Sequence, residues 1–331
     1  MRIFIFSPAF QDHLGTPSKN LGDIIIRYAV DAAVKKLFPD AAITYASSHQ
    51  PLDEKLLEEA DKADLKLVAG SNLLSSHIRT YNQWKLYQTE ERYLNPAKIH
   101  AVLCGVGWWQ YQKQPDSVTS AFYQKVLHPK IIHSVRDSYT AAQLQSAGIK
   151  NVINTSCPTM WNLDGKETSR QANNQQCILC LTDYKRDIEN DNMLISILMK
   201  YYEKVLFFPQ GSQDLEYINQ IPLFIKYRER FTIYSHDIQE ILRLATMGDV
   251  DYVGTRLHAG AWCLQKNIPS LILAVDNRSQ EIARDINLPV VGRADQKAIC
   301  SWLSGEKLFP NISLPTKAIA RWKKNLLEAF S

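Results

Sequence analysis

Short apolar runs alternate with amphipathic stretches along almost the whole chain. Strands are predicted at 2–8, 42–46, 65–70, 99–105 and 130–135 in the first half, and at 175–182, 204–209, 230–235, 251–255, 270–275 and 288–291 in the second. Between most of them lie stretches with apolar residues three and four positions apart, which predict helices such as 24–38, 238–247 and 258–267. This alternation indicates parallel sheets covered by helices, an α/β fold.

One polar stretch, Asn162–Gln176, contains almost no apolar residues and is the best linker candidate. The chain has 331 residues, more than one hydrophobic core usually covers. We therefore predict two Rossmann-like parallel-sheet domains that face a cleft, an N-terminal one at 1–165 and a C-terminal one at 166–331.

Composition and charge exclude some functions. The chain is 45% hydrophobic and 22% charged, with a formal net charge of +4 and no strong basic cluster, so no nucleic-acid partner is expected. Arg2 is followed by only four apolar residues, and no apolar run reaches the roughly 20 residues that span a bilayer. A cytoplasmic location is predicted. The amphipathic segment 317–330 leaves peripheral contact with the inner face of the membrane open, beside an ordinary solvated face.

Six cysteines occur in the chain, and two of them, Cys177 and Cys180, form a CxxC motif. The motif lies inside a predicted strand, where positions three apart point to opposite faces. No second CxxC and no suitably spaced histidine accompanies it, so buried free thiols are predicted, and no metal site.

Ligands of open α/β sheets bind beyond the carboxyl ends of the strands, so the residues that follow each strand are the candidates. The strand predicted at 251–255 is followed by Arg256 and His258, which lie at the start of a predicted helix. A helix N-terminus holds anions, arginine has a fork suited to carboxylate or phosphate, and histidine carries protons. The other candidates at strand ends are Asn20, Gly22, Asp23, Gly70, Trp108, Trp109, Arg136, Asp276 and Arg278.

Each candidate also has a structural interpretation. A lone arginine after a strand is commonly an ordinary surface residue, and a lone histidine is commonly structural. In the structural interpretation, Asp23 caps a helix and has no further role. Trp108 and Trp109 are either core aromatics or a surface on which a sugar stacks, and at most one of two adjacent indoles can easily point inward.

Several segments, in order, resemble the polysaccharide pyruvyl transferase family. Asn20-Leu-Gly22-Asp23 resembles its N-(I/L/F)-G-D motif, Gly70-Ser-Asn-Leu-Leu its G-G-x-L-L segment, and Ser134-Val-Arg136-Asp137 its S-V-R-D segment. Arg256-Leu-His258-Ala259 resembles its R-L-H-A signature, and NIPSLILAVDNR its G-x-P…D-x-K pattern. The similarity covers most of the chain, and R-L-H-A and S-V-R-D are its most specific parts.

The resemblance implies a GT-B-like fold, phosphoenolpyruvate as the donor co-substrate and a sugar as the acceptor, with a cyclic pyruvate ketal as the product. It places His258 and Arg256 in the catalytic Arg-x-His, and Arg136 at the donor. Arg278 falls where the family often has lysine. Thr155-Ser156-Cys157-Pro158 replaces the family's T-G-D-P, and Ser71 replaces a glycine, which bears on the acceptor more than on the chemistry.

From these residue types we predict that the two domains bind different substrates. The donor binds the second domain through Arg256, Arg278 and Arg136 reaching across, and the acceptor binds the first domain near Asn20, Asp23, Trp108 and Trp109. Two alternatives stay open: a GT-B glycosyltransferase with a nucleotide sugar, in which Glu281 holds a ribose, and an inactive carbohydrate-binding relative. The acceptor sugar and its carrier, lipid or nucleotide, also stay open.

Overall fold

The computed structural model describes residues 1–92, 99–167, 170 and 174–330. The chain divides into two compact units. Unit 1 comprises Met1–Ser18, Asp23–Trp161 and Leu314–Ser331, and unit 2 comprises Lys19–Gly22 and Asn162–Ser313. The predicted boundary at 165/166 does not account for two segments. The short segment Lys19–Gly22 belongs to unit 2, and the C-terminal segment Leu314–Ser331 belongs to unit 1. Part of the predicted linker, 168–169 and 171–173, lies outside the described residues.

Unit 1 is built on parallel strands. Its strands are β1 (Arg2–Ser7), β2 (Ala42–Ser47), β3 (Leu65–Ala69), β4 (Val102–Cys104), β5 (His133–Val135) and β6 (Val152–Asn154). Four of them form a sheet in the order β2-β1-β3-β4, and β5 pairs with β6. A parallel bridge between Val106 and Val135 connects the segment after β4 to β5. The strand β6 is absent from the sequence prediction.

The helices of unit 1 begin where polar side chains cap them. They are α1 (Leu21–Leu37, its first two residues in unit 2), α2 (Glu54–Lys62), α3 (Leu86–Arg92), α4 (Ser117–Val126), α5 (Ser138–Ser146) and, numbered after the helices of unit 2, α13 (Thr316–Phe330). Asp53, Asp116 and Asp137 each accept a hydrogen bond from the backbone two or three residues into their helix. In α5 the N-cap is Asp137, and Ser138 is the first helical residue.

The core of unit 1 lies against both faces of its sheet, because β1 is buried along nearly its whole length. Phe4 and Phe6 contact each other with ring centroids 5.2 Å apart, and Phe6 packs edge-on against Trp84 at 5.6 Å. The last helix closes part of this unit: Trp322 packs on Trp161, and the side chain of Asn325 accepts a hydrogen bond from the backbone before β5.

Unit 2 contains six parallel strands. They are β7 (Gln176–Cys180), β8 (Lys204–Phe207), β9 (Phe231–Ile233), β10 (Val250–Gly254), β11 (Ser270–Ala274) and β12 (Val290–Gly292). Their order is β12-β11-β10-β7-β8-β9. Counted within the unit this is the 3-2-1-4-5-6 order of a Rossmann fold, which reverses between β7 and β10. Ligands of such sheets bind at the reversal point, so the ends of β7 and β10 define the place to examine.

The helices of unit 2 cover both faces of its sheet. They are α6 (Ile188–Tyr201), α7 (Asp214–Ile218), α8 (Pro222–Lys226), α9 (Ile238–Leu244), α10 (Leu257–Gln265), α11 (Asn277–Ile286) and α12 (Gln296–Leu303). The stripe Leu257, Ala261 and Leu264 of α10 is buried, as its spacing predicts. Across the described residues, no helix combines the length and apolar character needed to cross a membrane.

The cysteines behave as the sequence predicts. All six are free thiols, and Cys177 and Cys180 are fully buried in β7. Burial raises the pKa of both thiols well above the ordinary value, so they stay protonated and pack as small apolar side chains.

Candidate active site

A pocket of about 330 Å³, part of it open to solvent, lies at the carboxyl edge of the sheet in unit 2. It sits where the strand order reverses, between the ends of β7, β10 and β11. Its walls are formed by Asn20, Tyr184, Gln210, Thr255, Arg256, Leu257, His258, Val275, Asp276, Arg278 and Ser279. Five of the residues that the sequence nominates therefore share one pocket: Asn20, Arg256, His258, Asp276 and Arg278.

The turn from β10 into α10 is fixed by close backbone contacts. A Cβ on Gly254 would come within 2.5 Å of the Cys180 carbonyl oxygen on β7, so only glycine fits there. The hydroxyls of Thr255 and Thr182 lie 2.8 Å apart, and the Tyr252 hydroxyl donates to the carbonyl of Arg256 at 2.7 Å. The first residues of α10 are thereby held at the pocket.

Arg256 occupies the N-cap position of α10, but its side chain makes no capping bond. The N-terminus of a helix carries a partial positive charge that favours an anion nearby. The side chain is instead turned to two carboxylates. Its Nε donates to Asp214 Oδ2 at 3.1 Å, its Nη2 donates to Asp214 Oδ1, and Nη2 also lies 2.9 Å from Asp183 Oδ1.

This arrangement changes what Arg256 can contribute. The guanidinium is only 4% exposed and its charge is already matched by Asp214 and Asp183. Burial alone would lower the pKa of Arg256, but the two carboxylates outweigh it and raise the pKa. Nη1 takes no part in these contacts, so the residue offers an oriented hydrogen-bond donor more than an unbalanced positive charge.

The loop after β8 completes the support of Arg256. A Cβ on Gly211 would lie 2.1 Å from Arg256 Nη2, so the guanidinium fits only because this residue is glycine. The backbone N–H of Gly211 donates to Asp214 Oδ2 at 2.7 Å, and that of Asp183 donates to Oδ1 at 3.0 Å. Asp214 is fully buried, and its burial raises its pKa despite the opposing charge of Arg256.

His258 lies in the first turn of α10, off the stripe that packs on the sheet. Its side chain is 5% exposed and lines the pocket. A Cβ on Gly22 would come to 3.1 Å from His258 Nδ1 and 2.7 Å from Gln210 Nε2. The imidazole therefore stands beside the N–L–G part of the N-terminal motif, which explains why a glycine is needed there.

Asn20 is part of the same pocket for a structural reason. Its Oδ1 accepts from the backbone N–H of Gly22 at 3.2 Å and from Gln210 Nε2 at 3.0 Å, so it caps α1. Asp23, which the sequence suggests as the cap, lies in the first turn instead and accepts from the Ser18 hydroxyl at 3.0 Å. Asn20 belongs to unit 2 and Asp23 to unit 1, so the expected grouping of Asn20 with the first domain is wrong.

Arg278 enters the pocket from the first turn of α11. Its Nε lies 3.2 and 3.0 Å from the two carboxylate oxygens of Asp276, the N-cap of that helix, and its Nη2 contacts the Tyr184 hydroxyl. Like Arg256, this arginine is ion-paired. Glu281, suggested for a nucleotide ribose, is buried and pairs with Arg284 at 2.8 Å.

Arg136 lies in unit 1, directly after β5, and is 3% exposed. Its Nε donates to Asp137 at 3.1 Å, and its Nη2 donates to the Trp108 carbonyl at 3.3 Å. A Cβ on Gly107 would lie 2.0 Å from its Cζ. The glycine-rich segment after β4 is therefore shaped to cover this guanidinium.

The two adjacent tryptophans have different surroundings. Trp108 is fully buried in the core of unit 1, and its Nε1 donates to Ser76 Oγ and Gln112 Oε1 at 3.2 and 3.0 Å. A sugar cannot stack on a ring with no exposed surface, so the prediction of Trp108 as an acceptor residue is wrong. Trp109 is half-buried, and its ring lies 4.2 Å from that of Tyr81 at an angle of 31°.

Two serines stand where the resembled family has glycine. Ser71 has φ 63° and Ser156 has φ 61°, both in the left-handed region that favours glycine. The backbone at both positions thus keeps a glycine-like conformation although the residue has changed. Cys157, at the position of the missing aspartate, is buried and accepts from Thr159 Oγ1 at 3.2 Å.

Sequence reasoning missed the residues that orient Arg256. Asp183 and Asp214 lie in the segments that follow β7 and β8, two of the strands whose ends yielded no candidates in the sequence. The signal was available for Asp183, because it comes directly after the predicted strand at 175–182. Within the described part of the chain, no three or more His, Cys, Asp or Glu side chains gather in a way that could hold a metal ion.

Solved structures identify the fold class. The chain is similar to the UDP-GlcNAc 2-epimerase of Methanocaldococcus jannaschii solved with UDP-GlcNAc and UDP, at 14% identity over 99% of this chain and 100% of that one, with a TM-score of 0.56. It is also similar to the UDP-N-acetylglucosamine 2-epimerase of Rickettsia bellii, at 10% identity over 99% of this chain and 95% of that one, with a TM-score of 0.55. A glycosyltransferase of Rickettsia africae is similar at 11% identity over 98% of each chain, with a TM-score of 0.50. The protein therefore has an α/β fold of the GT-B-like class.

The family is narrower than the fold. The model of the polysaccharide pyruvyl transferase family matches residues 20–277, and the chain belongs to that family. The protein is accordingly a transferase, and a saccharide acceptor follows from the family's description. No curated protein matches the sequence.

Proposed function

We propose that the protein transfers the enolpyruvyl group of phosphoenolpyruvate onto two hydroxyls of one sugar, forming a cyclic pyruvate ketal in the synthesis of a cell-surface polysaccharide. The observation that carries the proposal is the pocket of unit 2. There the oriented guanidinium of Arg256, the cation of Arg278 and the imidazole of His258 line one small space at the N-terminus of α10.

The pocket suits a small anion in polarity. Its walls are formed largely by polar and charged side chains, among them Arg256, His258 and Arg278. Phosphoenolpyruvate carries a carboxylate and a phosphate on three carbons, so it needs several hydrogen-bond donors and little area. The N–H groups of α10, Nη1 of Arg256 and Arg278 supply such donors, and the carboxylates behind Arg256 keep its plane fixed.

The reaction needs proton transfers that His258 is suited to make. A proton adds to the methylene carbon of phosphoenolpyruvate, and the neighbouring carbon becomes electrophilic. One sugar hydroxyl bonds to that carbon and loses its proton, the carbon–oxygen bond to phosphate breaks, and inorganic phosphate leaves. A second hydroxyl then adds to the same carbon and loses its proton, which closes the ketal. His258 supplies a proton to carbon or to the departing phosphate, help worth roughly 10²–10⁴-fold.

Thermal unfolding with added ligands tests the donor. Phosphoenolpyruvate at a hundred times its Kd should stabilise the protein by about 2.7 kcal/mol and raise Tm. Inorganic phosphate, pyruvate and UDP- or GDP-sugars serve as comparison ligands. Stabilisation by a nucleotide sugar alone would contradict the proposal and favour a glycosyltransferase, and stabilisation by neither class would favour an inactive carbohydrate-binding relative.

Two arginines of α11 provide a matched pair of variants. Arg278→Ala removes a cation that lines the pocket, whereas Arg284→Ala removes one whose side chain is 68% exposed and pairs with Glu281. The stabilisation by phosphoenolpyruvate should fall in the first variant and persist in the second. If phosphoenolpyruvate stabilises both variants to the same extent, the donor binds elsewhere.

A further inference from the structure

Four aromatic residues from three different segments of unit 1 contact each other in pairs. Tyr81 packs on Trp109 with centroids 4.2 Å apart, and Tyr111 meets Tyr139 edge-on at 5.2 Å. Tyr81 is 41% exposed and Tyr111 is 53% exposed, while Trp109 and Tyr139 are half-buried. We call these four residues the aromatic surface.

The aromatic surface lies on the side of the sheet where ligands bind. Tyr81 belongs to the segment that follows β3, and Trp109 and Tyr111 belong to the segment that follows β4. Tyr139 lies in the first turn of α5, after β5. All four therefore come from connections at the carboxyl ends of the parallel strands β3, β4 and β5, the kind of edge that open α/β sheets use for ligands.

The backbone holds these rings in place. The N–H of Trp109 donates to the Leu74 carbonyl at 2.7 Å, which ties the segment after β4 to the segment after β3. Tyr81 is fixed at both ends of its peptide unit, since its N–H donates to His77 and its carbonyl accepts from Ser75 Oγ, both at 2.8 Å. The surface is thus formed by anchored residues.

Polar groups are interleaved with the rings. The Tyr139 hydroxyl accepts from the Gln112 N–H at 2.8 Å and from Gln143 Nε2 at 2.7 Å, and it donates to the Gln112 carbonyl at 3.0 Å. Aromatic side chains offer large apolar faces, and such faces beside amides and hydroxyls match a pyranose. A pyranose has an apolar face of C–H bonds and a rim of hydroxyls.

We propose that the aromatic surface is a binding site for a neutral saccharide, with one sugar ring stacked on Tyr81 and Trp109 and the neighbouring ring against Tyr111 and Tyr139. The proposal rests on the proposed function, because it takes the saccharide to be the acceptor. It replaces Trp108 of the sequence prediction with Tyr81, a residue that the sequence did not nominate.

A glycan array of α- and β-linked hexose and N-acetylhexosamine oligosaccharides, probed with the labelled full-length protein, tests the site. The wild type should bind at least one class of glycan, and Tyr81→Ala should weaken that binding about tenfold because half of the stacking pair is lost. Tyr81→Phe keeps the ring and should retain binding. Tyr28→Ala, which removes a tyrosine 38% exposed on α1, is the matched control and should bind as wild type does.

The outcomes separate this site from the donor pocket. If no glycan binds, or if Tyr81→Ala and Tyr28→Ala bind equally well, the aromatic surface is not a saccharide site. Stabilisation by phosphoenolpyruvate is measured on the same variants and should not change in any of them. A wild type that binds no glycan but is stabilised by phosphoenolpyruvate refutes only the present inference, whereas glycan binding that depends on Tyr81, without stabilisation by phosphoenolpyruvate, refutes the donor assignment and leaves the saccharide site standing.

Discussion

His133 is a buried histidine whose neutral form the fold requires. It lies in β5 with no exposed surface, and its Nδ1 accepts from the Leu103 N–H at 3.3 Å. Its Nε2 lies 3.0 Å from the His128 carbonyl, so the proton belongs on Nε2. Burial, with a smaller effect of the nearby His128 side chain, lowers the pKa of His133 to about 4 against the hydrogen bond to that carbonyl.

The size of the effect on stability follows from this pKa. In the unfolded chain the group titrates near 6.5, so the difference is about 2.5 pH units, or about 3 kcal/mol at 1.36 kcal/mol per unit. The folded state binds the proton less readily than the unfolded state. The stabilising contribution is therefore complete above pH 6.5, falls as the pH drops from 6.5 toward 4, and is lost below that.

The variant His133→Gln keeps an N–H for the His128 carbonyl and removes the titrating ring. We expect urea unfolding between about pH 7 and about pH 4.5 to show a smaller loss of stability in the variant than in the wild type. Hydrogen exchange of peptides that cover β4 and β5 assigns the change to unit 1. His49→Gln, a half-buried histidine elsewhere, is the control. An unchanged pH slope in His133→Gln would refute the reasoning.

Four substitutions make further predictions. Arg256→Lys loses the fork that meets the carboxylates, so the donor KM should rise about tenfold in steady-state assays while the fold persists. His258→Ala should lower kcat at saturating donor by roughly 10² or more, and weakened binding with normal kcat would contradict the role of His258. Gly107→Ala pushes a Cβ into Arg136 and should lower both donor use and Tm. Ser156→Gly relieves a left-handed φ of 61° and removes a buried hydroxyl that has no hydrogen-bond partner among the described residues. The free energy of unfolding, measured by chemical denaturation, should therefore rise by about 1 kcal/mol. A decrease would contradict this prediction.

Most of the fold could be predicted because its strands are apolar runs bounded by polar residues. The strand β6 could not, since it has only three residues, of which two are apolar, and the polar residues Lys150 and Asn151 come directly before it. The sequence also could not predict that Lys19–Gly22 belongs to unit 2. This placement depends on contacts of Asn20 with Gln210, 190 residues away, and no local pattern encodes them.

The candidate site shows the same limit. Arg256 and His258 could be found because the strand and the helix on either side of them mark the turn. Their local pattern says nothing of Asp214, which reaches Arg256 only when the segment after β8 folds back, so the arginine's charge balance was not predictable. For Trp108 and Trp109 the sequence shows that two adjacent residues point in different directions, but not which one enters the core.

The chain crosses between its two units at 18/19, 22/23, 161/162 and 313/314, and this has a consequence for its biosynthesis. All strands of unit 2 are available once residue 313 has left the ribosome, but unit 1 still lacks α13, which packs on β5 and β6. The unit that is translated first is therefore completed last. A premature stop before residue 314 would leave the N-terminal unit, and not the C-terminal one, without part of its cover, and no single cut releases both units as intact fragments.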